Sequence, residues 1–378
     1  MSRFSDLFGG GGVPIGAIVQ GQFGADPNYL PCDGSDQLRA NYPFLDLTNL
    51  DTFGSNSFVS RALPRTGGNY VAYGNGLFVA LIGGGTSYAT SPDGVTWTSR
   101  TFPVTLPASN ISIIYANGLF VTAYNDTATL YTSPDGITWT ARTVTTTSIG
   151  WARIKYAGKL FFAFPQTGAY ATTTFLTSPD GITWTARTSS ANMPFNAAYL
   201  YGRYYVIHYG SNSGAAVSNM AASYDGVNWT GLSMVNTVTT SALTYNWQVL
   251  VTFANKLFIA DNTQGYTSTD GANWTPATLP QAMQAAAVIN NKLYLMPSSA
   301  GFGYAQIYST PDLLNFTLLT SSLASKIGEC SAYGNSVLVA GSTDSVTSVM
   351  TLATDTTKFR TPRMPAVNDG DRFYIRGK

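Results

Sequence analysis

The sequence predicts an all-β protein: a seven-bladed β-propeller of four-stranded antiparallel blades, inserted in a small β domain split between the two chain ends. Three observations carry this reading. The first is a stretch that recurs, Thr132-Ser133-Pro134-Asp135-Gly136-Ile137-Thr138-Trp139, with copies around Asp93, Asp180, Asp225 and Asp270 and weaker ones around Asp312 and Asp355. The steps between these aspartates are 42, 45, 45, 45, 42 and 43 residues, and an aromatic follows each Asp by four. A period in the low forties built from short strands is a propeller signature. The second is a tight-turn pair followed by a strongly apolar run in every repeat. The third is composition: 37 Gly, 23 Tyr and 20 Phe suit sheets joined by tight turns.

Taken in order, residues 1–12 carry Phe4, Leu7 and Phe8 and end in four glycines. Two readings stay open here, a disordered terminus and a docking peptide on a flexible tether. Residues 13–56 form the first part of the small domain. Val13–Val19 reads as a strand, Pro27–Ser35 as a strand ending in an Asp-Gly turn, and Arg39–Leu45 as a short helix or turn. This segment is too small to bury a core alone.

Residues 57–360 are the repeat array. The predicted turn pairs are Asn75-Gly76, Asn117-Gly118, Gly158-Lys159, Gly202-Arg203, Asn255-Lys256, Asn291-Lys292 and Asn335-Ser336. Asn and Gly tolerate the positive φ that two-residue hairpins require. The runs that follow, such as Leu77-Phe78-Val79-Ala80 and Leu160-Phe161-Phe162-Ala163, read as strands buried on both faces. Ser-Pro-Asp-Gly then makes a second hairpin, since Pro presets φ and Gly takes the left-handed position. Trp97, Trp139, Trp184, Trp229 and Trp274 are expected in the core between blades. Arg100, Arg142 and Arg187, three residues on, are expected as solvated charges.

Phe58-Val59-Ser60-Arg61-Ala62-Leu63-Pro64 matches Trp97-Thr98-Ser99-Arg100-Thr101-Phe102-Pro103 without an Asp-Gly turn before it. The array therefore begins with a lone fourth strand; either that strand or Phe359 would complete the last unit, and a strand donated from the other end of the chain removes an open sheet edge. Residues 361–378 leave the pattern, and Arg372–Arg376 reads as a terminal strand.

Charge and residue supply exclude several functions. Net charge is +1 with no basic run, which argues against nucleic acid. No apolar run approaches membrane-spanning length and no signal peptide is visible, so synthesis in the cytoplasm without membrane insertion is expected. Glu329 is the only glutamate and His208 the only histidine. Glycoside hydrolysis needs paired carboxylates, whereas the acids outside the repeat turns (Asp126, Asp261, Asp344 and Glu329) fall on different repeats. No cofactor, metal site or catalytic residue is expected. Cys32 and Cys330 lack metal-ligand spacing, and a disulfide between them stays open.

Pro14-Ile15-Gly16-Ala17-Ile18, Tyr29-Leu30-Pro31-Cys32-Asp33-Gly34-Ser35 and Tyr42-Pro43-Phe44-Leu45 at one end, with Phe359-Arg360-Thr361-Pro362 and Tyr374-Ile375-Arg376 at the other, resemble the phage tail collar domain of tail fibres and related adhesins. The resemblance covers roughly 65 residues. It departs from the family pattern at Tyr29, where Trp is common, and in lacking a Gly-Arg after the Pro-rich step. It implies that the propeller sits inside a collar-like domain whose halves reunite, and that the chain belongs to a virion tail. Other tail or baseplate proteins would be met through the N-terminal peptide and the collar-like domain. Tail fibres also imply a homotrimer, although no heptad or triple-stranded segment is present. The repeats themselves are similar to Ser-Pro-Asp-Gly-x-x-Trp repeats of bacterial and phage propellers, one residue shorter than the Asp-box of sialidases.

One propeller end carries both tight hairpins of each blade and is monotonous. The other carries connections that vary in length and chemistry, where recognition is expected. The candidate receptor-binding residues there are Tyr124, Asn125, Trp151, Phe164, Gln166, Tyr170, His208, Tyr209, Asn212, Tyr245, Trp247, Phe302 and Tyr304. Flat aromatics among amides and hydroxyls suit sugar rings and adaptable protein contacts alike. The expected function is a tail adhesin binding a host-surface glycan or outer-membrane protein. The alternatives are a structural tail-tip protein and a polysaccharide depolymerase.

Overall fold

The computed structural model describes residues 18–21, 29–31, 36–38, 51–53, 372–376 and most of 59–360. Within that last stretch it leaves out 68, 109–110, 125–128, 145–150, 166–171, 191–193, 209–219, 242, 244–248, 261–263, 281–282, 290–291, 298–304, 311, 315, 324–330, 336 and 342–345. The described elements are strands joined by turns and bends, with no helix among them. The chain divides into two compact units, residues 57–352 and a second made of 1–56 with 353–378.

The larger unit is a succession of sheets, five of them antiparallel four-stranded meanders in chain order. Blade one runs Asn69–Gly74, Leu77–Ile82, Gly85–Ser91 and Thr98–Leu106. Blades two, three, four and six repeat this arrangement over 111–143, 151–188, 194–232 and 283–323. Blade five, over 249–277, gains an extra strand at its outer edge, Val235–Asn236, paired in parallel with the start of Asn273–Ala277. The seventh sheet joins Ser331–Gly334, Val337–Ala340 and the first part of Val346–Arg360 to Val59–Gly67. Val349 pairs with Arg61, Met350 with Ser60 and Thr351 with Val59. The strand before the first repeat thus completes the last blade, as the sequence match at Phe58 predicts.

First strands of successive blades contact one another, from Ser331–Gly334 to Asn69–Gly74 and onward to Met283–Ile289. The last sheet therefore touches the first. Their seam is apolar: Leu63, Val339 and Val349 of blade seven cluster with Val71, Phe78, Ala80, Ile82 and Ala89 of blade one. The second strands are consistently dry, five of six residues being buried in Leu77–Ile82, Leu119–Tyr124, Leu160–Pro165 and Arg203–His208. Strands sandwiched between neighbouring blades have no solvent face, so they lose the alternation of a half-exposed sheet.

Three expectations are corrected. Two tight turns lie one residue earlier than predicted, at Tyr201–Gly202 and Ala254–Asn255, with Tyr201, Ala254 and Asn255 all at positive φ. The Asn291 turn lies outside the described residues. The Asp355 copy is not a turn: Thr354 and Asp355 are inside the strand Val346–Arg360, paired with Phe53 and Thr52. The fourth strand that such a turn would introduce is supplied from the other end of the chain.

The smaller unit is built from both chain ends. Arg372–Arg376 lies between Ile18–Gly21 and Tyr29–Pro31, antiparallel to each. Residues 354–360 pair with Asp51–Phe53 and Asp36–Leu38.

Candidate functional site

At the hairpin end, each Asp turn is a closed hydrogen-bond unit. In blade two, Asp135 Oδ1 accepts from the Ser133 hydroxyl and from the backbone N–H groups of Ile137 and Thr138, each at 2.7 or 2.8 Å. Ser133 Oγ in turn accepts the Gly136 N–H. The same set recurs at Asp93, Asp180, Asp225 and Asp270. In blade six, Thr310 takes the serine's place, and Leu313 stands at the glycine position with φ +62°. Burial raises the Asp135 and Asp270 carboxyl pKa values, but the donors outweigh it and both sit at about 2. Asp225 is held low by the Asn228 and Val227 N–H groups first. These carboxylates are consumed by turn structure, which leaves little basicity for chemistry.

The repeat tryptophans each pack on the preceding blade. Trp139 stands edge-on to Tyr88 and donates its indole N–H to the Tyr88 hydroxyl at 3.2 Å. Trp229 stands edge-on to Phe175 at 5.1 Å. The expectation of five core tryptophans holds fully for Trp274 only, because Trp97, Trp139, Trp184 and Trp229 keep part of their surface exposed. Trp274 differs because Met234 and Leu243, from the segment holding Val235–Asn236, join its cluster. The arginines are corrected too. Arg100, Arg142 and Arg187 are half-buried and donate through Nε to Thr90, Thr132 and Thr177 on the adjacent strand. Arg61 makes the equivalent bond to Thr351, marking Val59–Gly67 as a true fourth strand.

At the connection end, four of the thirteen candidate residues are described. Tyr124, Phe164 and His208 end second strands and are buried, so they are removed from the candidate surface. Tyr124 stacks on Tyr131, and Phe164 on Phe162 and Phe175. His208 is hydrogen-bonded through Nε2 to the Ser189 hydroxyl, which is also buried. The physical reason is shared: the C-terminal end of a second strand still lies between two blades. Trp151 opens the first strand of blade three, opposite Pro165. Asn125, Gln166, Tyr170, Tyr209, Asn212, Tyr245, Trp247, Phe302 and Tyr304 lie outside the described residues. So do Asp126, Asp261, Asp344, Glu329, Cys32 and Cys330.

One feature near this end was missed from sequence. The Arg153 guanidinium lies 3.5 Å from the Phe195 ring centroid, a cation–π contact joining the first strands of blades three and four. No sequence signal pairs these residues, because the contact depends on inter-blade register. Among the described residues no group of three His, Cys, Asp or Glu could hold a metal ion.

Residues 196–361 match the family described as "DUF6242 beta propeller domain". Among solved structures, streptogramin B lyase aligns over 79% of this chain and 98% of its own, at 8% identity and TM-score 0.59. Virginiamycin B lyase from Staphylococcus aureus aligns over 79% and 99%, at 9% identity and TM-score 0.59. YCF48 from Cyanidioschyzon merolae aligns over 79% and 99%, at 10% identity and TM-score 0.55. At such identities the likeness is one of fold: the chain is an all-β propeller. A search of curated proteins finds no match.

Proposed function

We propose that this chain is a non-enzymatic phage tail adhesin that binds a host-surface glycan or outer-membrane protein through the connection end of the propeller. The observation that carries the reading is the contrast between the two ends. At the hairpin end, five blades repeat one hydrogen-bond unit with the same residue types. The inter-strand connections at the other end differ in length and chemistry from blade to blade, the pattern of a rigid scaffold presenting variable loops. The split smaller unit supports the tail-fibre part of the reading. Its sheet unites the N- and C-terminal segments that resemble a collar domain, leaving the propeller as an insertion. The binding residues are then Asn125, Trp151, Gln166, Tyr170, Tyr209, Asn212, Tyr245, Trp247, Phe302 and Tyr304, without the three buried ones. A weak single site suffices where several copies act on one particle.

Competition tests the reading. Purified protein should adsorb to host cells and reduce phage adsorption in proportion to its occupancy. Trp247→Ala with Tyr245→Ala should lose most of that effect while unfolding at the parent temperature. Undiminished phage adsorption at saturating protein would count against the adhesin. Immuno-electron microscopy placing the chain among internal tail proteins would favour a structural tail role.

A further inference from the structure

The outer edge of blade five is covered by the chain itself, and among the described residues no strand pairs with the same edge of blade six. On blade five, Val235 donates its N–H to the Ala272 carbonyl and Thr237 donates to the Trp274 carbonyl, each at 2.8 Å. This adds a parallel strand beside the start of Asn273–Ala277. Met234 and Leu243, tied by a backbone bond from the Leu243 N–H to the Met234 carbonyl, close over Trp274. The covering segment comes from the connection between blades four and five, the longest of the repeat array.

Position by position, blade six presents the same frame. Phe316 stands where Trp274 does, Leu314 where Ala272 does, and Ala277 and Leu279 where Leu232 and Met234 do. Phe316, Ala277 and Leu279 pack together in one apolar cluster, as their counterparts do. The next residue breaks the parallel. Pro280 occupies the position of Val235, and proline has no N–H to offer the Leu314 carbonyl. Only two residues then separate Pro280 from the strand Met283–Ile289, too few for a covering segment. A cavity of about 540 Å³ remains, lined by Pro276, Leu279, Pro280, Leu314 and Phe316, with Lys256 among its rim residues. Leu314 is 82% exposed and Leu318 44%, against 41–49% for Val95, Ile137, Ile182 and Val227 at the turn position of Leu314.

We infer that this groove is a docking site for an extended, apolar segment of a partner protein, which adds a parallel strand to the outer edge of blade six as Val235–Asn236 does to blade five. The occupant's chemistry is set by the internal precedent. Two backbone N–H groups spaced two residues apart would meet the Leu314 and Phe316 carbonyls. An apolar side chain just before them would sit against Phe316 and Leu279. Strand addition of this kind takes affinity from main-chain bonds and specificity from alternate side chains. The site lies at the hairpin end and does not depend on the adhesin reading.

The test uses the full chain and a fluorescein-labelled synthetic peptide of residues 233–243, the protein's own covering segment, followed by anisotropy. Saturable binding is expected. Leu314→Asp, a surface change that should leave the unfolding temperature unaltered, should weaken it about tenfold or more. A peptide with Val235→Pro should weaken it similarly, while Ile182→Asp at the equivalent turn of blade three should change nothing. Any of three results overturns the proposal: no saturation up to about 1 mM peptide, where Kd corresponds to only about 4 kcal/mol; equal binding by the Leu314→Asp protein; or equal weakening by Ile182→Asp. Sedimentation showing self-association that Leu314→Asp abolishes would make the occupant a second copy, and would also overturn it.

Discussion

In the Asp turn a single carboxylate oxygen holds three donors, and the glycine that follows sits at φ +71° to +78° in five blades. A Cβ at Gly136 would lie 2.7 Å from Val79 Cγ2 on the neighbouring blade. Gly136→Ala should therefore cost about 1–3 kcal/mol, through backbone strain and an inter-blade clash together. Chemical denaturation measures it, and an unchanged midpoint would refute the packing argument. The carboxylates also set an acid limit. Their folded pKa values are depressed, to about 2 at Asp135 and Asp270, below the roughly 3.9 of an unfolded Asp. The stability they contribute is full above about pH 4 and is lost as pH falls toward 2. Unfolding midpoints measured between pH 5 and 2 should drop across that window, and Asp135→Asn should flatten part of the drop. At this scale the turn was legible in sequence, because Ser, Pro, Asp and Gly each carry a local reason. The burial of Tyr124, Phe164 and His208 was not, because it comes from the adjacent blade rather than from neighbours in the chain.

Among the elements, the fourth strands differ by what covers their aromatic. Trp274 is fully buried beneath Met234 and Leu243, whereas Trp184 stays half-buried. Truncating a fully buried tryptophan costs about 3–5 kcal/mol. Trp274→Ala should fall in that range and Trp184→Ala clearly below it, a difference visible in paired urea titrations. Equal losses would mean that the covering segment adds no burial energy. The repeat period made these strands countable, since the aromatic keeps a constant distance from its aspartate. The covering strand escaped notice because Val235–Asn236 is two residues long and lies in the one connection with no repeat counterpart. The apparent seventh turn misled for the opposite reason. Asp355 and Phe359 have the right spacing, but Ala353 and Thr354 stand where the clearer repeats have Ser and Pro, and Thr356 where they have Gly, so the strand Val346–Arg360 runs on through a register shift instead of turning.

Across the whole molecule, the decisive contact is the pairing of Val59–Gly67 with the first part of Val346–Arg360, which completes the last sheet with the strand that precedes the first repeat. Without it blade seven would expose an unpaired strand edge, and Leu63 would leave the seam cluster. The register can be tested directly. Ser60 and Met350 are Cα partners across the seam. In a chain lacking Cys32 and Cys330 (both changed to Ser), Ser60→Cys with Met350→Cys should cross-link on mild oxidation without changing the hydrodynamic radius. Because the new loop encloses nearly the whole propeller, the cross-link should stabilise by on the order of 3–5 kcal/mol through the unfolded state. Reduction should return the unfolding midpoint to that of the parent. The pair Arg61→Cys and Met350→Cys, one residue out of register, should cross-link poorly, since side chains alternate faces along a strand. Equal cross-linking of both pairs would mean that the seam is not held in a fixed register. The seam would then rest on the apolar contacts of Val71, Phe78 and Val339 rather than on the donated strand.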